Sequence, residues 1–258
     1  PHIVPVEDNE CSDTLKKAFE KRGIKIHVGA KTTSLKKKGE GVEAVIEVNG
    51  ASTTLTADCA LVAIGVAPNT DNCNLEVTGV ALDRGFIKVD ESLKTNVPGL
   101  YAIGDVAGPP LLAHKASAEG VVCVERIAGH HSKVDYNNIP GCTYCQPQVA
   151  SVGLTEQACK EKKLDYKIGK FPFTALGKAK AVGETEGFVK LIFGKKYGEI
   201  LGAHIVGVEA TEMIAELGLA RGAEATQVEL HRTIHAHPTF SEAVMEAAAA
   251  ADGEAIHF

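Results

Sequence analysis

The sequence has no excess of basic charge. Its 258 residues carry 27 Lys and Arg against 33 Asp and Glu, a formal net charge of −6. Nucleic acid and anionic membrane surfaces select basic faces, so neither is expected as the main partner. No apolar run is long enough to span a bilayer. The opening residues, Pro1-His2-Ile3-Val4-Pro5-Val6-Glu7, show no basic stretch followed by an apolar one, so no leader is visible there. Cysteine is present at 11, 59, 73, 123, 142, 145 and 159, but without a regular framework. A chain this long needs no disulfide staples, and the reading is of mostly buried thiols in a reducing cytoplasm. Low-complexity tracts and internal repeats are also lacking. With 45% hydrophobic residues there is enough apolar surface to bury a core, which excludes disorder as the dominant state.

What is present falls into three stretches. Glu10-Cys11-Ser12-Asp13 precedes Leu15, Ala18 and Phe19 at helical spacing, and Gly23 closes that helix. Ile24 to Val28 alternates as a strand. A helix and strand with nothing before them resemble the second half of a βαβ unit, so a piece of a longer chain is expected. Val42, Ala44, Ile46 and Val48 alternate with polar residues, Asn49-Gly50 makes a type I′ turn, and Ser52 to Thr56 returns. Cys59 to Ile64 is a continuous apolar run ending at Gly65, the pattern of a strand buried on both faces.

From 66 to 135 the spacing predicts a turn at Pro68-Asn69-Thr70, a short strand over Gly85–Asp90 and a buried strand over Leu100–Ile103 that ends in Gly104-Asp105. A helix follows from Ala113 to Ile127, with Gly129 at its end. From 137 onward, strands are expected at 148–152, 166–173, 187–193 and 199–206, and helices at 155–163, 208–221 and 241–251. Strands followed by helices suggest an antiparallel sheet with helices on one face.

Four local patterns bear on chemistry. Gly39-Glu40-Gly41-Val42-Glu43-Ala44 has the letters of a dinucleotide loop, but it follows Lys36-Lys37-Lys38 and leads into an alternating strand. Such a loop needs a helix N-terminus to hold pyrophosphate, so a plain turn is read here. Cys142-Thr143-Tyr144-Cys145 is a CxxC without a second pair for a metal, and it runs into Gln146-Pro147 rather than a helix. His235-Ala236-His237 could offer two metal ligands, yet no further ligand is obvious and no metal is expected. Pro238 pushes His237 toward an extended conformation, and Thr239 or Ser241 then starts the last helix with Glu242 in its first turn. Glu242 could therefore reach the His237 ring and make it a general base, with a bland capped helix start as the rival. Asp105 stands at the end of a buried strand, where ribose or ribityl hydroxyls are often held, and the helix opening at Ala113-His114 could stabilise an anion.

Taken together, four stretches resemble the pyridine nucleotide–disulfide oxidoreductases, the flavoenzyme family of glutathione reductase. They are Ala60 to Gly65 with Pro68-Asn69; Thr95 to Asp105; Tyr144 through Val152-Gly153-Leu154-Thr155-Glu156; and His237-Pro238-Thr239 with Glu242. Within the family, Leu112 to Ala116, Ile234 to Thr239 and Gly202 to Gly207 are similar to the dihydrolipoamide-oxidising branch. The terminal cysteine pair of mercuric reductases is not matched by Ala255-Ile256-His257-Phe258. The family's two GxGxxG loops, its redox CxxxxC and its acidic NAD-ribose ligand have no counterpart in these residues.

The resemblance implies a fold of α/β and α+β parts. Residues 1–66 would be the remainder of a Rossmann-like NAD-binding domain and 67–136 a central region that completes an FAD-binding one. Residues 137–258 would be an α+β dimerisation domain. It implies that Asp105 binds the FAD ribityl chain, and that Leu111, Leu112, Ala113 and His114 lie against the flavin pyrimidine. Gly65 would lie near NAD. His237 would be the acid–base group, oriented by Glu242 and serving the other subunit of a homodimer. Gln148 departs from the acid usual in the family, which should alter local charge rather than chemistry. The implied reaction is oxidation of dihydrolipoamide by NAD⁺ through a redox disulfide and FAD, with the lipoyl group of a 2-oxo acid dehydrogenase complex as partner. The 258 residues are expected to be inactive alone. Two alternatives stand beside this: a dimerisation module without chemistry, and a sister disulfide reductase with another substrate.

Overall fold

A computed structural model describes residues 2–258. In chain order the helices are α1 (Asn9–Lys21), α2 (Leu75–Thr78), α3 (Ala113–Ile127), α4 (Glu156–Glu161), α5 (Gly177–Val182), α6 (Ala210–Gly222), α7 (Gln227–Arg232) and α8 (Glu242–Ala250). The strands are β1 (Lys31–Lys38), β2 (Gly41–Val48), β3 (Ala51–Ala57), β4 (Leu82–Asp83), β5 (Phe86–Ile87), β6 (Gly141–Thr143), β7 (Gln148–Gly153), β8 (Tyr166–Pro172), β9 (Phe188–Gly194) and β10 (Ile200–Gly207). Packing groups the residues up to Ala60 with Asn137–Phe258 in one unit, and Leu61–Tyr136 in another.

The first unit is organised by a five-stranded sheet of order β6-β7-β10-β9-β8, antiparallel at every pairing. Side chains alternate between its faces. On one face Val189, Leu191 and Phe193 of β9 and Ala203 and Ile205 of β10 pack under Met213, Ile214 and Leu217 of α6 and Ala243, Val244 and Ala247 of α8. This is the antiparallel sheet with helices that the strand–helix order predicts. The expectation of helices on one face needs correction. On the opposite face Val149, Phe188 and Val206 pack against Cys11 and Leu15 of α1. The apolar stripe of α1 needs a surface to bury it, and the second face of this sheet supplies one.

Asp8 ties α1 to that face. Its Oδ1 accepts the Glu10 N–H at 3.1 Å and so caps α1, while its Oδ2 accepts the Glu156 N–H at 3.0 Å at the start of α4. Lys190, wholly buried on β9, places Nζ 3.0 Å from Asp8 Oδ1, 2.7 Å from Glu10 Oε1 and 2.6 Å from Glu156 Oε2. Burial alone would push the lysine pKa down; the three carboxylates more than offset this and hold it up. A sequence reading that looks for apolar periodicity does not find Lys190, because it occupies a core position.

The hairpin predicted around Asn49-Gly50 is present as β2 paired with β3, with both turn residues at positive φ. Gly39, also at positive φ, sits in the turn between β1 and β2. The plain-turn reading of Gly39–Ala44 therefore stands. Strand expectations fail elsewhere. Ile24–Val28 and Cys59–Ile64 are not strands, and Leu61 and Ile64 are 91% and 95% exposed. Among the described residues no strand pairs with either stretch, and extended backbone without a ladder partner has no reason to hold strand geometry.

In the second unit the strand expected over Gly85–Asp90 shrinks to Phe86–Ile87, paired with Leu82–Asp83. That over Leu100–Ile103 is a single bridge from Tyr101 to Lys94. The helix Ala113–Ile127 is found with the expected bounds. Three thiols, Cys11, Cys123 and Cys159, are buried; Cys142 and Cys145 are half-buried, and Cys59 and Cys73 are exposed, against the reading of mostly buried thiols.

The Asp8–Glu10–Glu156–Lys190 cluster should make the first unit acid-sensitive. Burial raises the Glu156 carboxyl, but Lys160 and Lys190 bring it down from 4.5 to about 2, and Asp8 and Glu10 are lowered as well. A carboxylate with a depressed folded pKa stabilises fully above its unfolded value and loses that effect as pH falls through the folded one. Stability should therefore drop between about pH 4.5 and 2. Glu156→Gln should flatten the acid limb of a pH-dependent urea denaturation series. An unchanged limb would show that the cluster does not couple to folding.

Candidate functional site

The stretch between α7 and α8 carries the chemistry. Ser241 stands at the N-cap of α8, but its hydroxyl makes no cap bond. Glu242, the first helical residue, turns back instead. Its Oε2 accepts the Thr239 N–H at 2.8 Å, and its Oε1 lies 2.9 Å from His237 Nδ1. The rival readings from sequence, a capped helix start and a carboxylate–histidine pair, are thus both present in one side chain. Burial pushes the Glu242 carboxyl up, but the Thr239 N–H and the His237 ring outweigh it and hold the pKa below the ordinary value. Glu242 therefore stays ionised and can only accept, so His237 Nδ1 carries a proton, and in the neutral ring Nε2 is the nitrogen with the lone pair. The His237 side chain is 76% exposed and that of Glu242 only 17%. Thr239 Oγ1 donates to Ala236 O at 2.7 Å, and Phe240 is buried against Phe173 with ring centroids 5.4 Å apart.

The two histidines of His235-Ala236-His237 do not share a ligand. His235 Nε2 lies 2.7 Å from Glu216 Oε1 on α6, and its side chain is 5% exposed. A cavity of about 610 Å³ opens beside the segment between α7 and α8, lined by Glu212, Met213, Glu216, Pro238, Thr239 and Phe240 among others. A third pair, His257 Nδ1 with Glu246 Oε1 at 2.6 Å, ties the last residues to α8. Among the described residues no group of three or more His, Cys, Asp or Glu is arranged to hold a metal ion.

The other sequence candidates lie in the second unit. Asp105 is exposed on a 3₁₀ turn, Gly104–Ala107. That turn is held from beneath by a buried ion pair that sequence reasoning misses. Lys115 Nζ donates to Gly104 O at 3.0 Å, Gly108 O at 2.8 Å and Glu119 Oε2 at 3.1 Å. Glu119 Oε2 also accepts the Gly104 N–H at 2.7 Å, and its Oε1 accepts the Tyr136 hydroxyl at 2.7 Å. Burial and this carboxylate push the Tyr136 phenol up to about 12, so it remains a donor. A signal for the pair exists: Lys115 and Glu119 are four apart on the face of α3 that also buries Val122 and Cys123.

Leu111 and Leu112 are half-buried, and Ala113 and His114 open α3 at the surface. Leu112, at the N-cap, makes no side-chain cap bond, and the first turn holds no acid. An exposed carboxylate on a fixed turn suits the hydroxyls of a ribityl chain, and a helix start without a side-chain cap suits an electron-rich ring edge. Both features fit the part of FAD that the resemblance assigns to them. Gly65 has φ of +140° and open space where a Cβ would stand, which suits close approach of a ligand such as NAD to the backbone.

Cys142 lies on edge strand β6 and Cys145 in the following turn, where Sγ donates to Pro147 O at 3.1 Å. Burial raises both thiol pKa values, the opposite of what an attacking thiol needs. Gln148 Oε1 accepts the N–H and hydroxyl of Thr211 at 3.1 and 3.0 Å at the start of α6, whose own N-cap residue, Glu209, makes no cap bond. The amide thus does the capping work for α6.

Residues 1–120 match the pyridine nucleotide-disulphide oxidoreductase domain, and residues 139–248 match the pyridine nucleotide-disulphide oxidoreductase dimerisation domain. The dihydrolipoyl dehydrogenase of Rhizobium etli is 51% identical over 260 residues, covering 100% of this chain and 54% of that protein. That of Zymomonas mobilis is 51% identical over 263 residues, covering 100% and 56%. Among solved structures, LpdA from Mycobacterium tuberculosis superposes with a TM-score of 0.85 at 28% identity, covering 94% of this chain and 52% of that one. The Cu(II) complex of the HOCl-induced flavoprotein disulfide reductase RclA from Escherichia coli gives 0.88 at 25% identity, covering 96% and 56%. The chain spans about half the length of the curated relatives it matches.

Lys115→Met should leave Glu119 buried without its counter-charge, at a cost of about 3 kcal/mol. The local readout is amide exchange at Gly104, whose N–H is held by Glu119. Exchange should accelerate there while the β9 and β10 amides keep their protection. Unchanged exchange at Gly104 would show that the pair does not hold the Asp105 turn.

Proposed function

The chain belongs to the pyridine nucleotide-disulphide oxidoreductase family, and from that premise we propose that it is the C-terminal part of a dihydrolipoyl dehydrogenase in which His237 handles the proton. The observation that carries this reading is the His237–Glu242 pair: Nδ1 committed to a carboxylate at 2.9 Å, with the ring 76% exposed. A base whose partner lies behind it and whose free nitrogen faces outward is built to meet a group from outside its own unit. In the proposed homodimer, formed through residues 137–258, that group lies at the other subunit's site.

His237 Nε2 would take a proton from one thiol of dihydrolipoamide. Glu242 would stabilise the imidazolium that results and keep its orientation. The thiolate so formed is the species that attacks a disulfide. Oxidising the dithiol to the cyclic disulfide releases two electrons and two protons, and His237 carries protons at Nε2. Asp105 would accept hydrogen bonds from ribityl hydroxyls, and Leu111, Leu112, Ala113 and His114 would line the flavin. Gly65 would let NAD approach the backbone. When bound, FAD and NAD supply the electron transfer that no side chain here can perform.

The domain limits follow the same reading: 1–66 from an NAD-binding domain, 67–136 from a region completing the FAD site. A cytoplasmic enzyme serving a lipoyl-bearing 2-oxo acid dehydrogenase complex is the corresponding context. Among the described residues no helix is long and apolar enough to cross a membrane.

Joined to the remaining part of the Rhizobium etli relative, the chain should oxidise dihydrolipoamide with NAD⁺, and the 258 residues alone should not. In the joined protein His237→Gln should lower kcat about 10²–10⁴-fold, the range for loss of a general base. Glu242→Gln should lower it less, since the ring remains but loses its fixed tautomer. Full activity in His237→Gln would overturn the assignment.

A further inference from the structure

His237 is too exposed to position itself. Its ring has one hydrogen bond among the described residues, to Glu242, and that bond fixes only the ring's rotation. The location of the ring depends on the backbone of the strap over 233–239. Two residues earlier, His235 faces the other way. Its side chain is 5% exposed, Nε2 lies 2.7 Å from Glu216 Oε1, and Nδ1 lies 3.0 Å from Thr233 O. A carbonyl oxygen only accepts, and so does an ionised carboxylate, so both ring nitrogens are asked to donate. Only the imidazolium does that. Glu216 sits on α6, whose Met213, Ile214 and Leu217 are buried in the sheet core, so the contact ties the strap to a helix packed on that core.

We propose that His235, charged and paired with Glu216, is the positioning residue that fixes the strap and thereby presents His237 with its proton on Nδ1. The proposal rests on the acid–base reading of His237. Its geometric core, one histidine holding another within reach of the carboxylate that sets its tautomer, holds whether or not His237 acts in turnover. Other groups agree with it. Thr233 Oγ1 donates to Glu229 O at 2.7 Å at the end of α7, and Thr239 Oγ1 closes on Ala236 O at 2.7 Å. The strap is therefore pinned at both ends, with His235 as its middle anchor. The charged groups facing His235 are Glu216 from α6 and Glu242 from α8; both favour the imidazolium, and burial opposes it without prevailing.

The test is imidazole-selective ¹H–¹⁵N NMR on the 258-residue chain, comparing wild type with His235→Asn and Glu216→Gln. In wild type, neutral His237 should show widely split ring nitrogens, with the proton on Nδ1. In either variant that split should collapse toward the mixed tautomers of a free imidazole. His257, held by Glu246 on α8, should keep its own pattern. Should His235→Asn fail to fold, wild type itself supplies the test. Raising pH through the His235 titration removes one of its two donors, and the His237 split should collapse in the same step. A His237 pattern indifferent to both variants, or to deprotonation of His235, overturns the proposal. If the split follows His235 but His237→Gln keeps full activity in the joined protein, the functional reading falls and the positioning role survives.

Discussion

A single carboxylate divides its two oxygens between a helix start and a histidine, and the rest of the site is arranged around that division. Glu242 Oε2 takes the Thr239 N–H, and Oε1 takes His237 Nδ1. Without the first contact the chain has no reason to turn into α8 where it does. Without the second, the imidazole has no preferred tautomer. Phe240 beneath and Glu216 behind fix the same strap from two other directions, so a mostly exposed ring keeps a defined orientation. Placing a base at the surface of its own unit makes chemical sense when the proton it takes arrives with a group held elsewhere.

Each unit uses one buried lysine for construction. Lys190 gathers Asp8, Glu10 and Glu156 and so joins α1 to the five-stranded sheet. Lys115, with Glu119, braces the carbonyls of Gly104 and Gly108 and so shapes the turn that carries Asp105. A buried ion pair of this kind contributes little net stability compared with apolar packing, but it fixes geometry, because breaking it strands a charge in the interior. On the proposed reading the exposed groups His237 and Asp105 do the contacting, and the buried ones hold them in place.

The sheet of residues 148–207 and the helices over 113–127, 210–222 and 242–250 are legible in the sequence because hydrophobic spacing and turn residues agree there. The His237–Glu242 contact is legible too, since Pro238 and the onset of α8 leave the glutamate few places to go. The alternating stretch at 24–28 and the apolar run at 59–64 mislead for the same reason they are conspicuous: they carry strand propensity, but pairing is not local, and no described strand pairs with them. Lys190, Lys115 and Glu119 escape notice because pattern reading assigns charges to solvent. Helix α7 escapes because it is six residues long, although its capping box, Thr226 with Glu229, is written in the sequence. His235 reads from spacing as half of a metal-ligand pair, whereas its partner Glu216 lies nineteen positions earlier on another helix, a distance spacing cannot bridge.

The most direct measurement is subunit complementation. Two forms of the joined protein would be prepared, one carrying His237→Gln and the other lacking a cysteine of the redox disulfide, and each should be inactive as its own homodimer. Mixed by co-expression, they should regain NAD⁺-dependent oxidation of dihydrolipoamide, because a dimer of one of each holds one site with both an intact disulfide and a His237 from the neighbouring chain. If the mixed protein is as inactive as its parents, His237 does not serve a site across the dimer, and its role as the proton-handling group of the partner subunit falls.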